Sequence, residues 1–333
     1  MAIQLKPDPL TGLEAYDASD LLAKGNEFFD AKSFDVAIAV YTRLEATFPD
    51  SDLVPSALYN IGLCYENLVE AEKALDAFKR LVEQHPSASN VRDAQYRMTL
   101  SLGKLQRWQD VADTFWAIRQ RTDLTAMDEL EARVGSGIAA FNLSDLATAE
   151  KEFLGAITFY EKRPKDEYLP ASYWVGQARF HLGEIYARQF EELALVAAAT
   201  EPEAWRDELA KKLEEKCEQL LRAQNNLIRA IRAGHAGWAT AAGYRIGSLY
   251  ERLYDEMMSV PPPPGLGEEV VAFYRDELTS KLGVLVSKAI QIYEQSLQMA
   301  GRVGEDNGWV ERTEKALERM RALALASIKD RQT

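Results

Sequence analysis

The chain has few of the residues that usually mark a chemical site. Its 333 residues include two cysteines, Cys64 and Cys217, and three histidines, His85, His181 and His235. No histidine lies four residues from another histidine or from a cysteine, so the spacing of a helical zinc site is missing. Two distant cysteines define no disulfide framework and leave the redox compartment open. We therefore predict no metal and no cofactor.

Catalytic motifs are missing as well. The sequence contains no Walker lysine, no G-x-S-x-G elbow and no H-E-x-x-H motif. Its many carboxylates suit an acidic, soluble helical surface. The sequence favours a non-catalytic binding protein, and an enzyme without a recognisable motif is the alternative class.

Long apolar runs and positive charge are also lacking. No uninterrupted apolar run reaches the roughly 18 residues of a membrane-spanning helix. The start, MAIQLKPDPLTGLEAYDASD, has neither the basic nor the apolar region of a signal peptide, although a chain that begins after a removed signal would look the same. The net charge of −13 disfavours nucleic acid, because phosphate binding needs lysine and arginine on one face. It favours a protein or peptide partner with basic groups.

What the sequence does contain is a repeated frame of small and aromatic residues. In GLCYENLVEAEKALDAFKRLVEQHP the frame consists of Gly62, Tyr65, Ala74, Phe78, Leu81 and Pro86. Shifts of 37 residues upstream, 37 downstream and a further 38 give three more copies: Gly25, Phe28, Ala37, Tyr41, Leu44 and Pro49; Thr99, Leu102, Val111, Phe115, Ile118 and Asp123; and Gly137, Ala140, Ala149, Phe153 and Ala156. Small residues opposite rings let two helices approach closely, and proline ends the second helix. We therefore predict helix hairpins that stack in tandem.

This frame resembles the tetratricopeptide repeat (TPR) over roughly residues 18–163. The resemblance implies an all-α fold, a right-handed TPR-type α-solenoid of antiparallel helix hairpins. Four TPR-like repeats would occupy residues 18–163, after an extended lead-in at 1–17. The usual period is about 34 residues, so each copy carries about three extra residues. An ordinary helical bundle is the alternative, and four copies in phase argue against it.

Beyond residue 163 the two halves of the frame lie farther apart in the sequence. Gly183 with Tyr186, and Gly247 with Tyr250, repeat the first half of the frame. The second halves follow late, at Ala223 and Leu227, and at Ala289 and Tyr293. We predict two elongated hairpins within 164–305, pairing about 170–198 with 203–233 and 236–259 with 267–302, and then a capping helix within 306–333. The PPPPG stretch between the last two arms is interpreted as a rigid connector, with a ligand for a proline-reading domain as the alternative.

The repeat phase also predicts a binding surface. In TPR arrays the first helix of each hairpin lines a concave groove, and one groove position holds four aromatic residues in six copies. An extended peptide or a partner helix would fit such a partly apolar channel. The alternative is that these side chains only pack between neighbouring repeats. The predicted groove residues are Leu22, Asn26, Phe29, Tyr59, Asn60, Leu63, Tyr96, Arg97, Leu100, Val134, Ile138, Phe180 and Tyr244.

One binding mode of the family is disfavoured. Chaperone-adaptor TPR proteins hold a terminal carboxylate with two asparagines, two lysines and an arginine. Asn26, Asn60 and Arg97 match that clamp, whereas Leu22 and Asp93 stand at the lysine positions. An acid there would repel a carboxylate. The three matching side chains are left to bond a peptide backbone.

Several longer stretches resemble TPR proteins from the envelopes of myxobacteria and their relatives, some of which serve gliding motility and surface adhesion. They are FPDS, ALYNIGLCYENL and YDEMMSVPPPPGLGEE. The resemblance implies a periplasmic or envelope-associated scaffold, with a lipid anchor outside the given residues as one arrangement. An outer-membrane assembly or cell-division coordinator is the second expectation, and a cytoplasmic adaptor the third. The partner's identity and the oligomeric state are not predicted.

Overall fold

A computed structural model describes residues 15–164 and 169–330, with side chains as far as residue 326. Thirteen helices and no strand occur in these residues, which confirms the all-α class. No helix in them is both long enough and apolar enough to cross a bilayer. The predicted lead-in at 1–17 lies almost wholly outside the described residues.

The helices form two compact units, α1–α6 and α7–α13, with the turn at 142–144 grouped with the first. The division falls after residue 125, whereas the change of hairpin length predicted from the sequence falls at 163. The two boundaries describe different properties, because one reflects packing and the other the length of the hairpins.

Three hairpins of similar length make up the first unit. Each helix packs against the next one in chain order, so the hairpins stack in tandem. The shared core is built from the predicted frame and includes Tyr41, Phe78 and Leu81, all fully buried. The helices are α1 (Ala18–Asp30), α2 (Phe34–Thr47), α3 (Val54–Asn67), α4 (Ala71–Gln84), α5 (Val91–Lys104) and α6 (Trp108–Arg119).

The second unit contains α7 to α13. Its two long hairpins, α9 with α10 and α11 with α12, share one core, and α13 packs against α11 and α12. The predicted closing helix is therefore present. The helices are α7 (Ala126–Asn142), α8 (Leu146–Glu161), α9 (Ser172–Glu192), α10 (Pro202–Arg232), α11 (Ala236–Ser259), α12 (Glu268–Val303) and α13 (Gly308–Asp330).

A left-handed residue closes each short hairpin at the same place. Lys32, Val69, Gln106 and Ser144 have φ values of 58°, 62°, 57° and 63°. Their spacings of 37, 37 and 38 residues equal those of the sequence frame. After Val69, the N–H of Glu70 donates to a carbonyl five residues earlier, as in a helix-ending Schellman turn. The backbone thus repeats with the period that the side chains predicted.

The close helix approaches predicted at the frame glycines are confirmed. A Cβ atom built on any of them would lie closer than 3.0 Å to the large residue of the paired helix. The pairs are Gly25 with Tyr41, Gly62 with Phe78, Gly137 with Phe153, Gly183 with Leu227, and Gly247 with Tyr293. The last two pairs show that the long hairpins keep the same contact as the short ones.

One arm of the first long hairpin is shorter than predicted. The helix predicted for 170–198 ends at Glu192, and residues 193–201 contain no helix. The reason is a buried lysine on α10: Lys216 Nζ donates to the carbonyls of Phe190 and Leu193 and so satisfies the end of α9. The chain then runs beside α10, where the carboxylate of Glu208 accepts from the N–H groups of residues 198 and 199.

The second long hairpin matches its prediction within one residue at each end. Its second arm is the longer one, and the N-terminal half of α12 has no buried residue before Val286. A Tyr–Glu–Arg cluster ties this hairpin to the closing helix. Glu251 of α11, which is buried, accepts from the Tyr293 hydroxyl at 3.1 Å and from Arg319 of α13.

Candidate functional site

The predicted groove residues of the first unit lie on α1, α3 and α5. All nine are half-buried or exposed, so they are available at the surface of this unit. Leu100 is the most exposed large apolar residue of the set, with 53% of its surface accessible. The nine are Leu22, Asn26, Phe29, Tyr59, Asn60, Leu63, Tyr96, Arg97 and Leu100.

Asn26 and Asn60 form a fixed pair of amides. The Tyr41 hydroxyl donates to Asn26 Oδ1 at 2.7 Å, and Asn60 Nδ2 donates to the same oxygen at 3.0 Å. Burial raises the pKa of Tyr41, so its hydroxyl stays a neutral donor. Asn26 Nδ2 and Asn60 Oδ1 have no partner among the described residues. The pair therefore offers one donor and one acceptor in an arrangement held by a core tyrosine.

The two tyrosines of the row pack against their own hairpins. The ring of Tyr59 lies 5.7 Å from that of Phe78, and the ring of Tyr96 lies 6.2 Å from that of Phe115, centroid to centroid. Both tyrosines are nevertheless only half-buried. Packing within the repeat thus accounts for one side of each ring and leaves the other side at the surface.

Arg97 has an acidic partner on the neighbouring first helix. Its Nη1 donates to Glu66 Oε2 at 3.0 Å. Burial raises the pKa of Glu66, although the Arg97 charge opposes that rise. Much of the arginine's charge is thereby neutralised. This pairing, together with the exposed acid at Asp93, argues further against a clamp for a terminal carboxylate.

Two predicted groove positions in the second unit belong to its core. Val134 is fully buried and Phe180 is 7% exposed, so neither side chain can line an open groove. Phe180 is covered by the rings of Trp238 and Trp309, at centroid distances of 5.3 and 6.2 Å. The prediction is wrong at Phe180 because α11 and α13 add a layer of aromatic residues that a short repeat lacks. It is wrong at Val134 because that side chain packs in the core formed by α7, α8 and α9.

The remaining two predicted positions of this unit, Ile138 and Tyr244, are half-buried. Tyr244 packs against Tyr293 and Trp309, at 6.2 and 5.6 Å between ring centroids. Tyr244 therefore joins the aromatic layer that covers Phe180.

The second unit also contains an aromatic pocket, which the sequence did not predict. Aromatic residues in the first turns of α9, α11 and α13, namely Tyr173, Trp238 and Trp309, surround a cavity of about 440 Å³. The available signal was an aromatic residue close to the start of each of these first helices. The lining of this aromatic pocket is Tyr173, His235, Gly237, Trp238, Asn307, Gly308, Trp309 and Arg312.

Helix caps fix the walls of the aromatic pocket. His235 Nδ1 accepts from the N–H of Trp238 at 3.4 Å, which places the proton of the neutral ring on Nε2. Asn307 Oδ1 accepts from the N–H of Trp309 at 2.9 Å. The Arg312 guanidinium lies 4.7 Å from the Trp309 ring centroid. Ring positions and donor positions are thus set by the backbone of α11 and α13.

Two titratable groups lie in or near the core of this unit. Burial among aromatic rings lowers the pKa of His181 to about 4, and its Nδ1 donates to the Gln177 carbonyl at 2.9 Å. Burial, with Asp128 nearby, raises the pKa of Glu131 to about 7. The described residues contain no group of histidine, cysteine, aspartate or glutamate that could hold a metal ion. His181 packs among the rings of Phe141, Phe153, Phe180 and Trp238.

Comparison with known proteins supports the repeat assignment in the first unit. Residues 22–89, about a fifth of the chain, match the family model described as tetratricopeptide repeat. The search of curated proteins returned no match.

Solved structures share the helical fold at low identity. The apo form of RapI is 11% identical, with a TM-score of 0.48, and the match covers 94% of this chain and 99% of that one. A tetratricopeptide repeat protein from Parabacteroides merdae is 12% identical, with a TM-score of 0.42 and coverage of 91% and 98%. YrrB, a TPR protein with an unusual peptide-binding site, is 17% identical, with a TM-score of 0.42 and coverage of 66% and 91%.

None of these three structures reaches a TM-score of 0.5, so the fold assignment depends on contacts within the chain. Those contacts show tandem antiparallel hairpins, and the TPR match lies over the first two of them. The chain is thus an all-α protein of stacked helix hairpins in which residues 22–89 carry a tetratricopeptide repeat sequence.

Proposed function

We propose that the protein is a non-catalytic scaffold whose first unit binds an extended peptide or a partner helix along the surface of α1, α3 and α5. The observation that carries the proposal is the Asn26–Asn60 amide pair, held by Tyr41 and still offering a donor and an acceptor. A peptide backbone needs one of each at every residue. Groups already held in place lose little entropy on binding.

Apolar surface lies beside the amide pair on the same three helices. Tyr59, Leu63 and Tyr96 are half-buried, and Leu100 is exposed. Aromatic and aliphatic anchors of this kind dominate the affinity of protein interfaces. Polar pairs for the peptide backbone and apolar contacts for its side chains together support recognition of an extended segment.

The test begins with peptides selected from a random display library on the immobilised full chain. We expect the tightest peptide to bind the Asn26→Ala, Asn60→Ala double variant at least about tenfold more weakly, a loss of ~1.4 kcal/mol. Asn225→Ala, an exposed asparagine on α10, is the matched control and should bind like the parent. Equal affinity of the double variant and the parent would move the binding site elsewhere.

We also propose a location in the bacterial envelope, within an assembly of the gliding-motility type. Support for it comes from the resemblance of FPDS, ALYNIGLCYENL and YDEMMSVPPPPGLGEE to envelope TPR proteins. Fractionation of host cells with an antibody against the chain tests the location. Recovery in the periplasmic or membrane fractions is expected, and recovery in the cytosol alone would overturn it in favour of a cytoplasmic adaptor.

A further inference from the structure

The aromatic pocket offers hydrogen-bond donors that nothing in the described residues accepts. The Tyr173 hydroxyl, His235 Nε2–H and the Arg312 guanidinium all lie at its wall. Neither a hydrogen bond nor an ion pair to any of these three donors exists within residues 15–164 and 169–330. Tyr173 is also 40% exposed, so its ring is accessible. The pocket therefore suits a ligand with acceptors and flat apolar surfaces.

A polyproline II segment is a ligand with acceptors and flat apolar surfaces. Proline has no backbone N–H, so a run of prolines presents carbonyl acceptors without donors. Its pyrrolidine rings pack on aromatic side chains, which is the usual way in which proline-rich segments are recognised. The rings of Tyr173, Trp238 and Trp309 can pack against the proline rings. The donors at the pocket wall can bond the carbonyl oxygens.

The chain itself carries a run of four prolines. Pro261–Pro264 follow α11, and they are exposed or half-buried. Leu266 beyond them is 38% exposed, and the next helix opens with the exposed acids Glu268 and Glu269. No ion pair to either acid is found in the part of the chain that the structure describes.

The proline connector cannot reach the pocket of its own chain. α11 begins beside the pocket, at Ala236, and ends at Ser259, directly before the prolines. At about 1.5 Å per residue, its 24 residues separate the two sites by about 36 Å. Only a second copy can bring the two features together.

Charge supports the same pairing. Arg312 is the cation in the pocket lining, and the acid beside the pocket, Glu305, already accepts a hydrogen bond from Asn307 Nδ2. Glu268 and Glu269 follow the prolines. A connector seated in the pocket would bring opposite charges to an exposed contact, where their attraction guides orientation.

We infer that the proline connector of one copy, Pro261–Pro264 with Glu268 and Glu269, docks in the aromatic pocket of a second copy and pairs with Arg312. The pocket and the connector are different surfaces, so two copies pair either reciprocally, as a closed two-fold dimer, or head-to-tail, with one pocket and one connector left free. Head-to-tail contacts build open chains unless the rotation closes a ring, and the sedimentation coefficient at high concentration distinguishes the two.

Sedimentation velocity of the full chain at low salt, from low to high micromolar concentration, tests the inference. We expect concentration-dependent association. Arg312→Glu should weaken it at least about tenfold, and so should Glu268→Arg with Glu269→Arg. Pro262→Ala with Pro263→Ala should weaken it too, because the charges remain while the rings are lost. Arg206→Glu, a charge change on an exposed side chain of α10, is the control and should associate like the parent.

Mixing the two charge variants provides the decisive measurement. In the mixture the Arg312→Glu pocket meets a connector with arginines, and the native pocket of the other variant meets a native connector, so the mixture should associate at concentrations at which neither variant alone does. Circular dichroism and melting curves confirm that each variant is folded. A chain that is monomeric at every concentration, or association that survives either charge variant, overturns the inference.

Discussion

Lys216 Nζ lies 2.7 Å from Glu256 Oε2, and the lysine side chain has no exposed surface. The ammonium group donates as well to two carbonyls at the end of α9 and lies 4.0 Å from the Phe190 ring centroid. One side chain of α10 therefore joins α9 and α11, which are the neighbouring arms of the two long hairpins. All three hydrogen bonds that the ammonium group can donate are made inside the protein.

Lys216→Met should destabilise the protein strongly. The substitution removes the donor of the Phe190 and Leu193 carbonyls and leaves Glu256 with Arg252 as its remaining partner, and the expected loss in the free energy of unfolding is about 2–4 kcal/mol. Urea denaturation followed by circular dichroism measures it. Lys315→Met is the control, because Lys315 is 71% exposed in its pair with Glu311 and such pairs contribute less than about 1 kcal/mol. Equal effects of the two substitutions would contradict the role given to Lys216.

Gly62→Ala should also destabilise the protein, by about 1–3 kcal/mol, because the added methyl group overfills the contact with the Phe78 ring. Gly103→Ala is the opposite case. A Cβ there would lie at an ordinary 3.7 Å from Trp108, and alanine favours a helix by about 0.5–1 kcal/mol over glycine. Thermal melting of both variants should give shifts of opposite sign. A Gly62→Ala variant that melts like the parent would mean that α3 and α4 do not meet at this residue.

Val69→Gly should stabilise the protein by about 0.5–1 kcal/mol. Val69 has a φ of 62° and is 79% exposed. The left-handed backbone conformation is sterically unfavourable for a branched side chain, and an exposed side chain gains little packing energy to offset that cost. Glycine adopts this conformation freely. Val69→Ala keeps the Cβ atom and should gain less. Destabilisation by glycine, seen as a lower urea midpoint, would show that valine is not strained at this turn.

His181 should make the protein less stable as the pH falls. Its pKa is about 4 in the folded protein, against 6.5 in an unfolded chain, because burial disfavours the charged ring. Between pH 6.5 and 4 the unfolded state binds the extra proton, and stability falls across that window by about 3 kcal/mol. The difference in unfolding free energy between the parent and His181→Phe should show this change. A difference that stays constant with pH would contradict the burial of a neutral histidine.

Glu131 should have the opposite effect, making the protein more stable as the pH falls. Its pKa is about 7 in the folded protein, above the usual 4.5, because of burial and the nearby Asp128. The folded state then binds the extra proton between pH 7 and 4.5, so protonation stabilises the protein as the pH falls through that window. Compared with Glu131→Gln, the parent should gain stability between pH 7 and 4.5. A difference between the two proteins that stays constant from pH 7 to 4.5 would mean that the Glu131 carboxyl is in water, where folding does not change its pKa.

The sequence predicted the hairpins because their contacts repeat locally. A small residue on one helix must face a large one on the next, and this rule located Gly183 opposite Leu227 and Gly247 opposite Tyr293 despite the long insertions. The end of α9 could not be predicted in this way, because it depends on Lys216, which lies 26 residues beyond Phe190. The aromatic pocket could not be predicted either, because it also depends on contacts between distant residues. Its three rings come from the first turns of α9, α11 and α13.

The surface position of the groove residues was predicted in part. The phase is consistent with an accessible surface on α1, α3 and α5, where each first helix has only the short repeat around it. It failed at Phe180, because α11 and α13 cover a position that is open in a short repeat, and at Val134, because that side chain belongs to the core of α7, α8 and α9. A repeat pattern identifies equivalent positions, whereas exposure depends on what each neighbour adds.

The N-terminal half of α12, which has no buried residue before Val286, should unfold locally more often than the rest of the second unit. No side chain of residues 268–285 is fully buried, and the core contacts of this segment, from Leu282 and Leu285, lie at its end, so little tertiary free energy opposes the opening of the turns before them. Isolated helical segments of this length are marginal in water. The amide protons of this half should therefore exchange with solvent through local unfolding, well before those of the same helix beyond Val286, which are protected until the whole second unit opens.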